Sequence, residues 1–323
     1  MDIELLISNL TNPTLLFFLL GIVASLLKSD LEIPPTTTKF ISLYLLFSIG
    51  FRGGQELAHE AFSAELLLSL LFGLGISMLI PVYSFFLLKQ RLSTFDAGAV
   101  AAAYGSVSAV TFVAASGFLE SQQLVYDGHM VAVMALMESP AIIMGVILIR
   151  KFQSPEQEKG GKMKDLLKHS LTNSSVLMIT GSLVIGLIAD TKQAEGIKPF
   201  TTDIFKGFLA IFLLEMGMVT VKRFEAFRKQ GWFVTLFALL MPAFNGSMVA
   251  ITSGLVTDSV ANRFLFAMLA ASASYIAVPA SMRLIAPKAD PGLYIPMALG
   301  LTFPFNISMG IPLYYSLIQY FNF

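Results

Sequence analysis

Apolar stretches near or above the roughly 20 residues that a helix needs to cross a bilayer recur from one end of this 323-residue chain to the other. In hydrocarbon a spanning segment must satisfy its own backbone, and continuous apolar runs of this length do so as helices. With Pro, Gly and charge taken as boundaries, the pattern predicts ten spans. They lie at about 12–28, 34–55, 62–88, 95–117 and 128–150, then 170–189, 200–221, 231–256, 261–283 and 293–320. Only 13% of the residues are charged, against about 25% in soluble domains. The expected fold class is therefore an all-α, polytopic membrane protein. Cys is absent, which removes disulfides and thiolate metal sites, and the three His residues have no zinc-ligand spacing. There is no Gly-rich phosphate loop, no His-Glu-x-x-His and no nucleophile–base pair, so neither an enzyme nor an organic cofactor is expected. A net charge of zero gives no footprint for nucleic acid. The acidic start, Met1-Asp2-Ile3-Glu4, lacks the basic region of a cleavable signal peptide, so the first apolar stretch is expected to stay in the protein.

Charge sets a direction. If the N-terminus is outside, all but five of the 21 basic residues fall on one side of the membrane. The five are Arg52, Lys192, Lys198, Lys206 and Arg263. The positive-inside rule then places the basic side in the cytoplasm and both termini outside, in a plasma (bacterial inner) membrane. The polar stretch 151–169, with Ser154-Pro155-Glu156-Gln157-Glu158-Lys159-Gly160-Gly161-Lys162, reads as a cytoplasmic linker. It divides the chain into a first half, 1–150, and a second, 170–323. Five spans per half is an odd number, so the second half must enter from the opposite side, which is the condition for an inverted repeat.

Two segments about 166 residues apart carry the repeat most clearly: Gly105-Ser106-Val107-Ser108-Ala109-Val110-Thr111 and Ala271-Ser272-Ala273-Ser274-Tyr275-Ile276-Ala277. Both are small, hydroxyl-rich and uncharged within apolar surroundings, as expected of paired interrupted spans at a carrier's site. Weaker correspondences follow the same order: Ser48-Ile49-Gly50-Phe51 with Glu215-Met216-Gly217-Met218, Pro81 with Pro242, and Glu138-Ser139-Pro140 with Thr302-Phe303-Pro304. The fourth span is expected to break where Gly105 precedes Val110-Thr111-Phe112-Val113, a β-branched and aromatic run that forms helix only modestly, and the ninth at Pro279, which removes a backbone donor. Amides freed at a half-helix start suit an anion, and carbonyls and hydroxyls suit Na⁺. The polar candidates are Ser106, Ser108 and Thr111, with Ser272, Ser274 and Ser281. Close helix packing is the competing explanation of any one of them.

Glu138 and Glu215 lie at depths where an unpaired carboxylate is costly. Glu138, with Ser139 and a helix irregularity at Pro140, has the parts of a hard-cation site, Glu215 is a similar candidate ligand, and Asn306 adds a neutral oxygen. Na⁺ is the expected ion. Asp96 reads as a helix cap behind Ser93-Thr94. Arg52 reads as a snorkelling side chain beside Glu56. His59, His129 and His169 fall at span ends, with no relay suggested.

The stretches Tyr104-Gly105-Ser106-Val107-Ser108-Ala109-Val110-Thr111-Phe112, Met137-Glu138-Ser139-Pro140 and Ile49-Gly50-Phe51-Arg52-Gly53-Gly54 resemble the sodium-dependent bicarbonate permeases of cyanobacteria and their bacterial relatives. The resemblance runs over essentially the whole chain. It implies a five-plus-five inverted fold with core and gate domains drawn from both repeats, assembly as a homotrimer among membrane lipids, and Na⁺-coupled bicarbonate uptake. It also implies that Gly105, Ser106 and Ser108 line the anion site, faced by Ala271, Ser272 and Ser274. A cytoplasmic regulator of the PII type is a further implied partner. Another small organic or inorganic anion fits the same pattern. A channel, which would conduct without accumulating its ion, and a receptor without flux are the readings from other classes.

Overall fold

The computed structural model describes residues 13–60, 62–153, 174–227 and 231–321. Each of the ten predicted stretches carries helix in its described residues. The helices are α1 (Pro13–Leu26), α2 (Pro35–His59), α3 (Ala64–Leu88), α4 (Thr94–Gly105), α5 (Ala109–Ser121) and α6 (His129–Phe152). After the linker, most of which lies outside the described residues, come α7 (Ser174–Ile188), α8 (Phe205–Phe227), α9 (Trp232–Thr252), α10 (Val260–Ala271) and α11 (Ala277–Ile285). The last, α12 (Pro291–Tyr320), contains π turns at Met297–Thr302 and Asn306–Gly310. Six helical units are long and apolar enough to cross a membrane, and shorter apolar helices accompany them. The protein is all-α and passes the membrane several times.

Local chemistry sets many of the helix ends. Ser63 caps α3 by accepting from the Leu66 amide at 3.1 Å. Ser93 caps α4 from the Asp96 amide, and Asp96 Oδ1 in turn accepts the Asp290 amide at 2.8 Å, in keeping with an acidic first turn. Pro81, Pro140 and Pro242 do not end their helices; α3, α6 and α9 run through them. The irregularity expected at Pro140 is therefore absent from α6 as a break.

Two groups of helices emerge from the packing, and each pairing recurs. α2 packs along α7, and α1 along α8; α3 packs on α4 and α6, while α9 packs on α10 and α12. Lipid gives no hydrophobic drive for helices to associate, so close backbone approach matters. A Cβ on Gly21 would overlap the Leu214 carbonyl, and one on Gly217 the Phe18 carbonyl, at the α1–α8 crossing. Gly54 and Gly186 do the same for α2 and α7. The unit 94–121 is the most enclosed, with 94% of its apolar window buried against 33% for Ala64–Leu88. Its polar groups must therefore find partners inside the protein.

Candidate functional site

α4 stops at Gly105 because Ser106 turns to an extended conformation, and α5 starts three residues later with Ser108 as its cap. Ser108 Oγ accepts the Thr111 amide at 3.2 Å. In the second half, α10 stops at Ala271, Ser272 is extended, and α11 begins only at Ala277. The break lies N-terminal to Pro279, not at it. Pro279 occupies the first turn of α11, where a missing N–H costs nothing, so the proline opens a new helix instead of bending an old one.

The breaks cross and bond to each other. The Ser108 amide donates to Ser272 Oγ at 2.9 Å, and the Ser274 amide donates to the Ala103 carbonyl at 2.8 Å. Ser272 Oγ donates back to the Leu269 carbonyl at 2.8 Å, and Ser106 Oγ donates to the Glu138 backbone carbonyl at 3.3 Å. Asn306 Nδ2 donates to the Ala271 carbonyl at 2.7 Å, tying α12 to the end of α10. Beside the crossing lies a cavity of ≈ 20 Å³ whose polar wall is Ser108, Glu138, Ser175, Ser274 and Tyr275, next to Ile276 at the start of α11. That volume admits one water-sized species. The Glu138 side chain is buried, and among the described residues no hydrogen bond or ion pair engages its carboxylate. Ile276 gives α11 no side-chain cap, so first-turn amides remain available there.

Of the expected residues, Ser108, Ser274 and Glu138 face the cavity together. Ser106 and Ser272 are buried in the frame of the crossing, and Ala271 contributes its carbonyl to Asn306. Gly105 is a contact with α3, since a Cβ there would overlap the Pro81 ring. Thr111 is buried one turn into α5 and meets Ser108 through its amide. Ser139 is half-buried and points elsewhere on α6, as adjacent helical residues do. Glu215 lies apart on α8, with Lys222 and Glu32 as charged neighbours. Asn306 is fully buried and already engaged. Ser281 is buried with no hydrogen-bond partner among the described residues.

Sequence reasoning missed Ser175, which sits in the first turn of α7 and resembles ordinary helix-start polarity. It also missed the Tyr104–Thr302 hydroxyl contact at 2.6 Å, which joins α4 to α12. Arg52 does not pair with Glu56; it reaches Glu120 at 2.9 Å, 68 residues along the chain. Lys206 joins the same carboxylate at 3.3 Å. His129 is no idle span end: its Nδ1 lies 2.5 Å from Glu60 Oε1, with Asp127 close by.

Residues 13–319 match the Na⁺-dependent bicarbonate transporter superfamily, and the chain belongs to that family. No curated protein matches the chain significantly. Membership makes it a sodium-coupled transporter, with Na⁺ as the coupling ion, and not an enzyme.

Proposed function

We propose that the chain carries bicarbonate inward across the plasma membrane together with Na⁺, by alternating access around the crossed helix breaks. The observation that carries this reading is the small cavity in which Ser108, Ser274, the buried Glu138 and the uncapped start of α11 converge. A buried carboxylate that no described residue engages favours a cation, and first-turn amides without a side-chain cap favour an anion. In a low dielectric each ion lowers the cost of holding the other, so the pair binds well and either alone binds weakly. Glu138 is the Na⁺ ligand on this account. Ser108, Ser274 and the α11 amides hold the anion once the breaks part to widen the ≈ 20 Å³ cavity, and its O–H donor and acceptors match hydroxyls and amides alike. Gly105, Ser106, Thr111, Ala271 and Ser272 frame the crossing. Asn306 positions the end of α10 instead of touching Na⁺, and Ser139 and Glu215 stand outside the ion site.

The architecture in this reading is ten spans in two inverted halves, 1–150 and 170–323, with 151–169 as cytoplasmic linker and both termini outside. The duplicated helix pairings support it, as do the two crossed breaks. α1, α2, α7 and α8 form the gate, and the remaining helices form the core. A homotrimer and a PII-type regulator rest on family resemblance.

The test is uptake of labelled bicarbonate into proteoliposomes with and without an imposed Na⁺ gradient. Uphill, saturable, Na⁺-dependent uptake is expected. Accumulation that ignores the gradient contradicts the carrier. Uptake abolished by an excess of another small anion, itself transported better, moves the substrate to that anion.

A further inference from the structure

Two ion pairs and one carboxylate–imidazole contact among the described residues lie at one end of the molecule and cross between the same two helix groups. Arg52 of α2 and Lys206 of α8 both hold Glu120 near the end of α5, and Glu60, just past α2, holds His129 at the start of α6. Glu60 is engaged twice, since its Oε2 also accepts the His129 amide at 3.3 Å. The adjoining Asp127 carries the connection to α10, exchanging bonds of 3.0 and 2.5 Å with Asn262. A polar recess of ≈ 300 Å³, bordered by Arg52, Glu56, Glu195 and Lys198, lies on the same side. At the far end of the interface, the described residues of α8 and α12 include a contact of another kind. There α8 meets α12 through a neutral bond from Thr220 Oγ1 to the Leu299 carbonyl at 3.1 Å. The cavity at the breaks takes its α7 wall from Ser175, in the first turn of that helix, which is the end away from the ion pairs.

We infer that Glu120, held by Arg52 and Lys206, is the positioning residue of a closure over the cavity, with Glu60–His129 as its second clasp, and that the closure faces the 122–128 loop. The inference rests on the reading of the cavity as the transport site. Arg52, Lys206 and Glu120 keep part of their surface in water, which suits a contact that must break in each cycle, while His129 of the second clasp is buried. Released, each regains water, whereas a packed apolar seam would resist parting. The side chains of Arg52 and Glu120 are 30% and 23% exposed, so the pair is screened by salt and holds only modestly. Glu120 touches neither ion; its charge sets how often the recess and the cavity become continuous.

The chain has no Cys, so Ala109→Cys, at the cavity wall, introduces a sole thiol into the full-length protein. Right-side-out and inside-out membrane vesicles would each be treated with a membrane-impermeant maleimide. Glu120→Gln should speed labelling from the 122–128 face by roughly fivefold. Glu120→Asp, which keeps the charge, should return the rate close to that of the parent. Lys206→Gln, whose side chain is 61% exposed and free of packing constraints, should give a smaller increase even if Glu120→Gln is poorly inserted. High salt should raise the parent rate toward that of the variants. Equal rates in parent, Glu120→Gln and Lys206→Gln overturn the inference, as does acceleration confined to the opposite face. Protection of the introduced thiol by Na⁺ with bicarbonate reports on the site separately. Its loss would sink the transport-site reading while leaving the closure standing or falling on the labelling rates.

Discussion

The two helix breaks are written in nearly the same residues, yet they dispose of their polar groups in different ways. In the first, Ser108 caps the helix that follows and Ser106 reaches across to the helix bearing Glu138. In the second, Ser272 turns back on its own helix, Ser274 crosses through its backbone amide, and α11 starts without a side-chain cap. A small hydroxyl-rich motif thus fixes where a helix stops, while neighbouring elements decide which groups stay free. The first break is bonded to its own helix and to the backbone of α6 at Glu138. The second leaves amides and a hydroxyl toward the cavity. Two similar motifs that cross can in this way present different polar groups to one cavity.

The largest expected effect comes from dismantling the first break. Ser106→Ala with Ser108→Ala removes a helix cap and the link to α6, and should lower initial uptake by more than about tenfold with the protein still in the membrane. Parental kinetics would erase the distinction between the breaks. Next is Glu138→Gln, which keeps shape and removes charge. It should raise the Na⁺ concentration for half-maximal uptake by about tenfold, equivalent to about 1.4 kcal/mol. An unaltered Na⁺ dependence would take the cation away from the first break. Asn306→Ala should cost about 1–3 kcal/mol of stability by orphaning the buried Ala271 carbonyl, seen as earlier unfolding in detergent, with Na⁺ half-saturation unchanged. A shift in Na⁺ dependence there would restore Asn306 as a ligand. The smallest effect belongs to Ser274→Ala, because the bond to Ala103 uses the backbone and survives. Half-saturation for the anion should rise about fivefold, the worth of roughly 1 kcal/mol from one hydroxyl, with stability unchanged.

Much of this is legible in the sequence because spans are a property of local composition. A run such as Ala64–Leu88 declares itself by length and apolarity, and Ser93 with Asp96 declares a helix start. The first break is legible only in part: Gly105 marks where α4 stops, but the β-branched run Val110-Thr111-Phe112-Val113 lies inside α5, where its packing outweighs its modest helix propensity. The second is misplaced when proline is taken only as a breaker, whereas its fixed geometry also suits a helix's first turn. Asn306 resembles a free oxygen ligand in sequence, and only its 2.7 Å bond to Ala271 assigns its amide a task. Glu215 and Glu138 look alike in apolar context, but only the second faces the crossing. Arg52 and Glu120 lie 68 residues apart, and nothing near either names the other. Pairings made by tertiary packing leave no mark on spacing.

The most direct test is equilibrium Na⁺ binding to the purified, full-length protein in the presence and absence of bicarbonate. If the crossed breaks hold both ions side by side, bicarbonate should tighten Na⁺ binding by about tenfold, with Na⁺ tightening bicarbonate to the same degree. Glu138→Gln should abolish the mutual effect. Na⁺ affinity that is indifferent to bicarbonate, in a protein that nonetheless transports, would contradict a shared site.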